Sequence, residues 1–362
     1  MKIPDAKIDV LENGIRIVTE EIPHLRSVSI GLCVGAGSVT EHKDVMGISH
    51  FIEHATFKGT NKRSAFEIAQ ELDRVGGKLN AFTGKEYTVY YAVVQDKYFS
   101  VASEVLGDIF LNSLYRDSDL DMERNVVLEE IKMYEDTPDE QVHDLFASTI
   151  LHHHSLGNTT LGEEKTVRSI DSNKIEEYRK ALYTPDNLII SVAGNIKRDD
   201  VLSGIKGLFS SFSGKKSSNI GPIPAITANT FLKSKKTEQA HIILGTKGCS
   251  QKDEDRYAFA VLDNALGGSM SSRLFQEIRE KRALVYSVYS FNQGFKDAGL
   301  FGIYAGTSPK NFEQVIELAL KELGNMKKEG ITKEELARAK EFLKGSLVLG
   351  LESSNSRMNY AA

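Results

Sequence analysis

Long apolar runs are missing from this chain of 362 residues. No stretch reaches the ~18 apolar residues that a membrane-spanning helix needs, so no span is expected. An excess of basic charge is missing as well. The net charge of −5 gives no support to nucleic-acid binding, which would want a basic patch. The opening MKIPDAKIDVLENG lacks the apolar core of a secretory signal. Cysteine is scarce: Cys33 and Cys249 are too few for a disulfide scaffold, and a reducing cytoplasm is the default expectation. Both thiols are expected to be buried as small hydrophobes. What is present is ordinary for a soluble globular protein, 41% hydrophobic and 26% charged, at a length that suits about two domains.

Alternation and β-branching predict strands at Ile15 to Ile22 and Ser27 to Ala36, then at Lys78 to Thr83 and Tyr87 to Val94. Gly47 to Phe57 reads as a helix with Gly59 just past its end, and Phe66 to Val75 as another. A long amphipathic helix follows from Tyr98, and Glu123 to Glu135 is a further one, ended near Pro138. A buried strand at Leu188 to Ala193 and a helix at Asp199 to Phe209 close the first half. The run SGKKSSNIGPIP then reads as a linker.

The second half repeats the first. Tyr91-Ala92 recurs as Tyr304-Ala305, Lys97 as Lys310 and Phe99 as Phe312, at an offset of 213 residues. Ile30 and Leu32 fall on Ile242 and Leu244 with the offset slipping by one. The expectation is therefore an α+β fold of two homologous domains, each a mixed or antiparallel sheet packed with helices, related by internal duplication. Residues 1–213 form the first domain, 214–224 the linker and 225–362 the second repeat.

The first half carries HFIEH. His50 and His54 are four apart and share a helix face, because a turn takes about 3.6 residues. Both rings could reach one small cation at ~2.0–2.1 Å. Glu53 borders the same face and could take a proton from a metal-bound water. Tetrahedral zinc then wants a third protein ligand, and MERNVVLEEIKMYED is the candidate source. Glu123 and Glu130 are seven apart and share a face; Val126, Val127 and Ile131 would supply the apolar stripe, and Glu129 points elsewhere. The rival cluster His152-His153-His154 is read as a loop or helix-end feature, since adjacent side chains diverge. In the second half Asp263, Leu266 and Gly267 stand where His50, Glu53 and His54 fall, so only one repeat carries the site.

HFIEHATFKGT, with GIRIV, GAGSVTE, LNAFTGKEYTVYY, ERNVVLEEI, LGEEKTV and GGSMSSRLFQEIREKRALVY, resembles the inverted-motif zinc peptidases: mitochondrial processing peptidase, pitrilysin and insulin-degrading enzyme. The arrangement is most similar to the bacterial, half-length, processing-peptidase-like branch. The resemblance implies one zinc ion per chain held by His50, His54 and Glu130, with Glu53 as general base and Glu123 as the carboxylate supporting the ligands. It implies an edge strand, Asn80, Ala81 and Phe82, that pairs with an extended peptide substrate. Glu140 and Asp144 match carboxylates that receive an arginine near the scissile bond. Arg279 and Tyr286 match a pair that reaches the substrate, and in a homodimer enclosing a chamber they would serve the partner's zinc. Members of this fold also act as non-catalytic peptide-binding or core subunits, but those usually lose the metal residues that are intact here. His154-Ser155-Leu156-Gly157, Ala283 and Val285 depart from the family pattern. The end at NYAA suggests a second repeat lacking its terminal piece.

Overall fold

The computed structural model describes residues 6–152, 154–217, 220–226 and 228–362. In chain order the strands and helices begin with β1 (Lys7–Val10), β2 (Arg16–Glu21), β3 (Ser27–Val34), α1 (Ile48–Thr56), α2 (Ala65–Asp73), β4 (Lys78–Thr83) and β5 (Thr88–Gln95). There follow α3 (Phe99–Asn112), α4 (Asp117–Glu135), α5 (Pro138–Ile150), α6 (Glu164–Ser169), α7 (Ser172–Leu182), β6 (Leu188–Gly194) and α8 (Arg198–Phe209). The remainder is β7 (Ala240–Lys247), α9 (Arg256–Leu266), β8 (Val285–Gly294), β9 (Gly299–Thr307), α10 (Phe312–Glu329), α11 (Lys333–Gly350) and α12 (Ser354–Ala361). Among the described residues no helix is long and apolar enough to cross a membrane.

The chain divides into two compact units that do not follow one cut in the sequence. The first takes 1–132, 158–220 and 350–362; the second takes 133–157 and 221–349. Within 214–224, Ser218 and Asn219 lie outside the described residues and the rest forms neither helix nor strand. Both cysteines are half-buried rather than buried.

The first unit is built on a six-stranded sheet of order β1-β2-β6-β3-β5-β4. Only β2 and β6 run parallel; the other pairs are antiparallel. One face of the sheet carries the main core, in which Ile30, Leu32, Tyr90 and Ala92 meet Phe51, Ile52, Phe110 and Phe209. The other face is covered by α12, which lies on β3 and β6. Burial on both faces explains why β3 reads as a nearly continuous apolar run. The Met358 thioether occupies the space over Gly31, where a Cβ would stand 2.3 Å from its sulfur. Ser354 Oγ bonds Ser29 Oγ at 2.9 Å, and Ser191 Oγ donates to the Met358 carbonyl at 2.7 Å.

The second unit is a three-stranded antiparallel sheet, β7-β9-β8, with a core from Leu266, Ile278, Val288, Ile303, Val315 and Met326. Its register repeats that of the first. Ile30 pairs with Ala92, and Ile242 pairs with Ala305; Leu32 pairs with Tyr90, and Leu244 with Ile303. The slip of one residue between the two offsets is thus absorbed between strands, and the duplication is real at the level of hydrogen bonding. Here α5 covers β7, with the Phe146 ring over Gly245, so a helix from the first half of the sequence serves the second sheet. His154 follows α5. Its Nδ1 accepts from Leu156 N, so the Nε2 proton goes to the Gly221 carbonyl at 3.1 Å; His153 lies outside the described residues.

Candidate metal centre and substrate strand

Helix α1 begins where the chain must turn sharply. Gly47 has φ +90°, and a Cβ there would stand 2.6 Å from the Leu161 carbonyl oxygen. The Glu41 carboxylate caps the helix, accepting from Gly47 N at 2.7 Å and Ser49 N at 2.9 Å. It is buried, and burial pushes it up to about 7 against the pull of those two bonds. Tyr178 hydroxyl bonds Thr40 Oγ1 and Ser49 Oγ, each at 2.7 Å, and ties α7 to the same end. Ile48, Phe51, Ile52 and Ala55 are fully buried in the core and fix the roll of the helix. The remaining face presents His50, Glu53 and His54.

Helix α4 faces it with a stripe at positions 120, 123, 127 and 130. Leu120 and Val127 are buried, and Glu123 lies between them at 5% exposure. This differs in one respect from the sequence expectation: Val126 is 49% exposed and Leu120 takes its place on the stripe, because α4 starts at Asp117, earlier than Glu123. Glu129 points away and pairs with Lys132 at 2.7 Å.

His50 Nε2 and His54 Nε2 each lie 3.5 Å from Glu130 Oε2. One donor atom from each of the three residues falls within 4.8 Å of the others. Ligands at ~2.0–2.1 Å from a tetrahedral ion stand about 3.3 Å apart, so the spacing suits a small divalent cation. The donor set of two imidazole nitrogens and a carboxylate is one that catalytic zinc takes, with a position left open. Burial drives the His50 imidazole down to about 3, with His54 adding to the effect, which keeps it neutral and able to ligate. Among the described residues, buried His50 Nδ1 has no hydrogen-bond partner. His54 is held differently: Nδ1 meets Glu123 Oε2 at 3.3 Å, which directs Nε2 to Glu130. Lys58, one turn on, pairs with Glu123 Oε1 at 2.5 Å. Glu53 is largely buried and its carboxyl is raised, chiefly by burial; the Glu130 charge pushes the same way, while the Thr83 hydroxyl and His54 pull against it.

Beside this face, β4 is the edge strand of the sheet. Asn80 and Phe82 are exposed on it and Ala81 is buried; Asn80 Oδ1 accepts from Ala81 N at 2.8 Å. Phe82 meets Tyr87 and Tyr91 edge to face at 6.2 and 6.4 Å between centroids.

Four other sequence candidates lie in the second unit. Glu140 and Asp144 share one face of α5; Tyr134 donates to Asp144 Oδ2 at 2.7 Å, while Glu140 is exposed. Arg279 Cζ lies 4.8 Å from the Phe275 ring and 5.6 Å from Tyr286, which is 78% exposed. Three backbone irregularities meet here. Phe275–Glu280 is a π-helical turn, Ala283 has φ +51°, and β8 slips register between Val285 and Ser287, around Tyr286. Such features gather where side chains must be aimed.

Fold and site together define a metallopeptidase. The chain belongs to peptidase family M16: residues 16–164 match the family model described as insulinase (peptidase family M16), and 169–343 match the peptidase M16 inactive domain. The second match contains Asp263 and Gly267, where the histidines are replaced. Among curated relatives, the uncharacterized zinc protease YmxG of Bacillus subtilis is 47% identical over 348 residues, covering 96% of this chain and 85% of its own length. An uncharacterized zinc protease of Streptomyces coelicolor is 43% identical over 357 residues, 96% of this chain and 78% of that protein. A solved protease from Helicobacter pylori shares the fold with a TM-score of 0.89 over 98% of this chain and 88% of its own, at 24% identity. The chain is thus a metalloprotease whose relatives carry the name zinc protease, and His50, His54 and Glu130 could hold the ion.

Lys58, Thr83 and Glu41 were not singled out by the sequence. Each lies inside a motif that was, but a lone polar residue carries no periodic signal of its own.

Proposed function

We propose that this chain is a zinc-dependent endopeptidase that cleaves extended peptides or unfolded segments within a chamber formed by a homodimer. The observation that carries the reading is the convergence of two imidazole Nε2 atoms on one Glu130 oxygen, 3.5 Å from each. His50, His54 and Glu130 hold one zinc ion per chain. Bound zinc supplies Lewis acidity for the scissile carbonyl and lowers the pKa of a water to roughly 7. Glu53 accepts the proton of the attacking water and passes it to the leaving amine. Glu123 orients His54 through Nδ1. The main chain of Asn80, Ala81 and Phe82 pairs with the peptide, which sets little demand on its sequence. Arg279 and Tyr286 act at the zinc site of the partner copy, Tyr286 donating to the oxyanion. Glu140 and Asp144 receive an arginine near the cut. The two unpaired cysteines fit a reducing compartment, and the cytoplasm is the location we propose.

Glu53→Gln tests the reading: zinc content by elemental analysis stays at the parent level and cleavage of a quenched peptide stops. A variant that cleaves at the parental rate removes Glu53 from the chemistry. A digest of a peptide library, read for arginine just before the cut, tests Glu140 and Asp144.

A further inference from the structure

Strand β4 offers the site two things at once. Among the described residues its main chain is a free sheet edge, paired only with β5. Its side chains alternate, with Lys78, Asn80 and Phe82 exposed and Leu79, Ala81 and Thr83 turned inward. The last of the inward residues reaches the proposed base: Thr83 Oγ1 donates to Glu53 Oε2 at 2.5 Å.

A hydroxyl has one proton to give. Thr88 stands opposite Thr83 in the strand register and donates its proton to the Ala36 carbonyl at 2.9 Å. With that proton spent, Thr88 could enter its 3.3 Å contact with Thr83 only as an acceptor, and the far shorter 2.5 Å contact gives the Thr83 proton to Glu53 instead. Thr83 is left as a donor to Glu53, and Glu53 Oε2 is committed as its acceptor. Among the described residues the Glu53 carboxylate takes one side-chain hydrogen bond, from Thr83 to Oε2, which leaves Oε1 open to other partners.

We propose that Thr83 is a positioning residue that divides the work of the Glu53 carboxylate. It fixes Oε2 to the substrate strand and leaves Oε1 as the atom that takes and returns the proton. The same strand holds the peptide main chain, so the bond ties the register of the docked peptide to the base. The inference rests on the reading of Glu53 as base and β4 as substrate strand. The proton balance is simple. Oε1 gains the proton as the water O–H bond breaks, and gives it to the amine nitrogen as the C–N bond breaks. The Thr83 proton stays on Oγ1 throughout.

The test is a comparison of Thr83→Val and Thr83→Ser in the whole chain, with zinc affinity measured by chelator competition and peptide cleavage by steady-state kinetics. Thr83→Val removes the donor at nearly constant shape. A bond to a charged acceptor is worth about 10- to 100-fold in rate, so kcat falls by that factor while KM stays within about twofold. Zinc affinity is unchanged, and Thr83→Ser, which keeps the hydroxyl, restores kcat to within about threefold. A Thr83→Val enzyme with parental kcat overturns the proposal. So does a Thr83→Ser enzyme no faster than Thr83→Val when both are folded and bind zinc. Should Thr83→Val fail to fold, Thr83→Ala is read against Thr83→Ser in the same way. Failure of the underlying reading shows separately, as activity retained in Glu53→Gln.

Discussion

Replacing Glu123 by Gln isolates the support of one proposed ligand, His54, from the proposed ligands themselves. The carboxylate accepts from two donors, Lys58 Nζ at 2.5 Å and His54 Nδ1 at 3.3 Å, one on each oxygen. Its side chain is 7% exposed, so water does not readily stand in for either. Glutamine keeps the shape but has one acceptor oxygen and an NH2. Lys58 retains the oxygen, and His54 Nδ1 then faces a donor. The imidazole must either turn or move its proton to Nε2, the atom directed at Glu130, and both outcomes oppose metal binding.

The magnitude follows from the bond that is lost. Full unit charges 3.3 Å apart would interact by about 5 kcal/mol at an effective dielectric of ~20. An imidazole N–H carries only part of a charge, and a bond of this type is worth about 1.5–3 kcal/mol. At about 1.4 kcal/mol per decade, zinc affinity falls about 10- to 150-fold. The assay is the zinc dissociation constant by competition with a chromophoric chelator at fixed pH, beside the melting temperature of the metal-free protein. Glu129→Gln is the control, because its side chain is 70% exposed and one helical position away from Glu130. Zinc affinity within about threefold of the parent, with the fold intact, would refute the argument that Glu123 orients His54.

Glu41→Ala strips two backbone N–H groups at the start of α1 of their acceptor in a buried setting; unfolding by urea should show a loss of about 2 kcal/mol. The Arg273–Glu335 pair is bidentate at 2.7 and 2.8 Å, and it holds the Glu335 carboxyl at about 2 against an ordinary 4.5. A depressed folded-state value means stability present above about 4.5 and lost as pH falls through about 2. The melting-temperature gap between the parent and Glu335→Gln should therefore close across that window. Gly267→Ala would place a Cβ 2.2 Å from Ser290 N; chemical denaturation should show a loss of about 3 kcal/mol, the upper end for overpacking.

The strands at Ser27–Val34 and Leu188–Gly194 were legible because burial on both faces writes an apolar run into the sequence. The helix carrying His50 and His54 was legible for another reason: its apolar face and its chemical face repeat at helical spacing. Other features left no such mark. Strand β1 is short and mostly exposed, so nothing in KIDV distinguishes it from a loop. No helix is predicted from the sequence at α5 or α12, and composition does not say which sheet would receive either; α5 lies on β7, and α12 on β3 and β6. The aims of Thr83, Lys58 and Glu41 follow from tertiary packing alone. The π-helical turn that contains Arg279 has no sequence signature either, since one extra residue in a helix leaves composition unchanged.

The duplication bears on why, among the described residues, one group that could hold a metal ion is found rather than two. Matching registers place α9 in the second unit at the station of α1 in the first. Where His50 stands in α1, α9 has Asp263, whose carboxylate accepts from Ser290 Oγ at 2.5 Å. Where His54 stands, the chain has Gly267, with the backbone nitrogen of Ser290 so close that no Cβ fits. The second repeat therefore lacks more than the two imidazoles. Its helix end has closed against β8, and the space an imidazole would need is filled by main chain. Restoring histidine at 263 and 267 would not rebuild a site without moving β8, the strand that carries Tyr286. On the proposed reading, that packing gives the second repeat a role of its own. It holds Tyr286 outward and 78% exposed, available to another site and unable to compete for the ion.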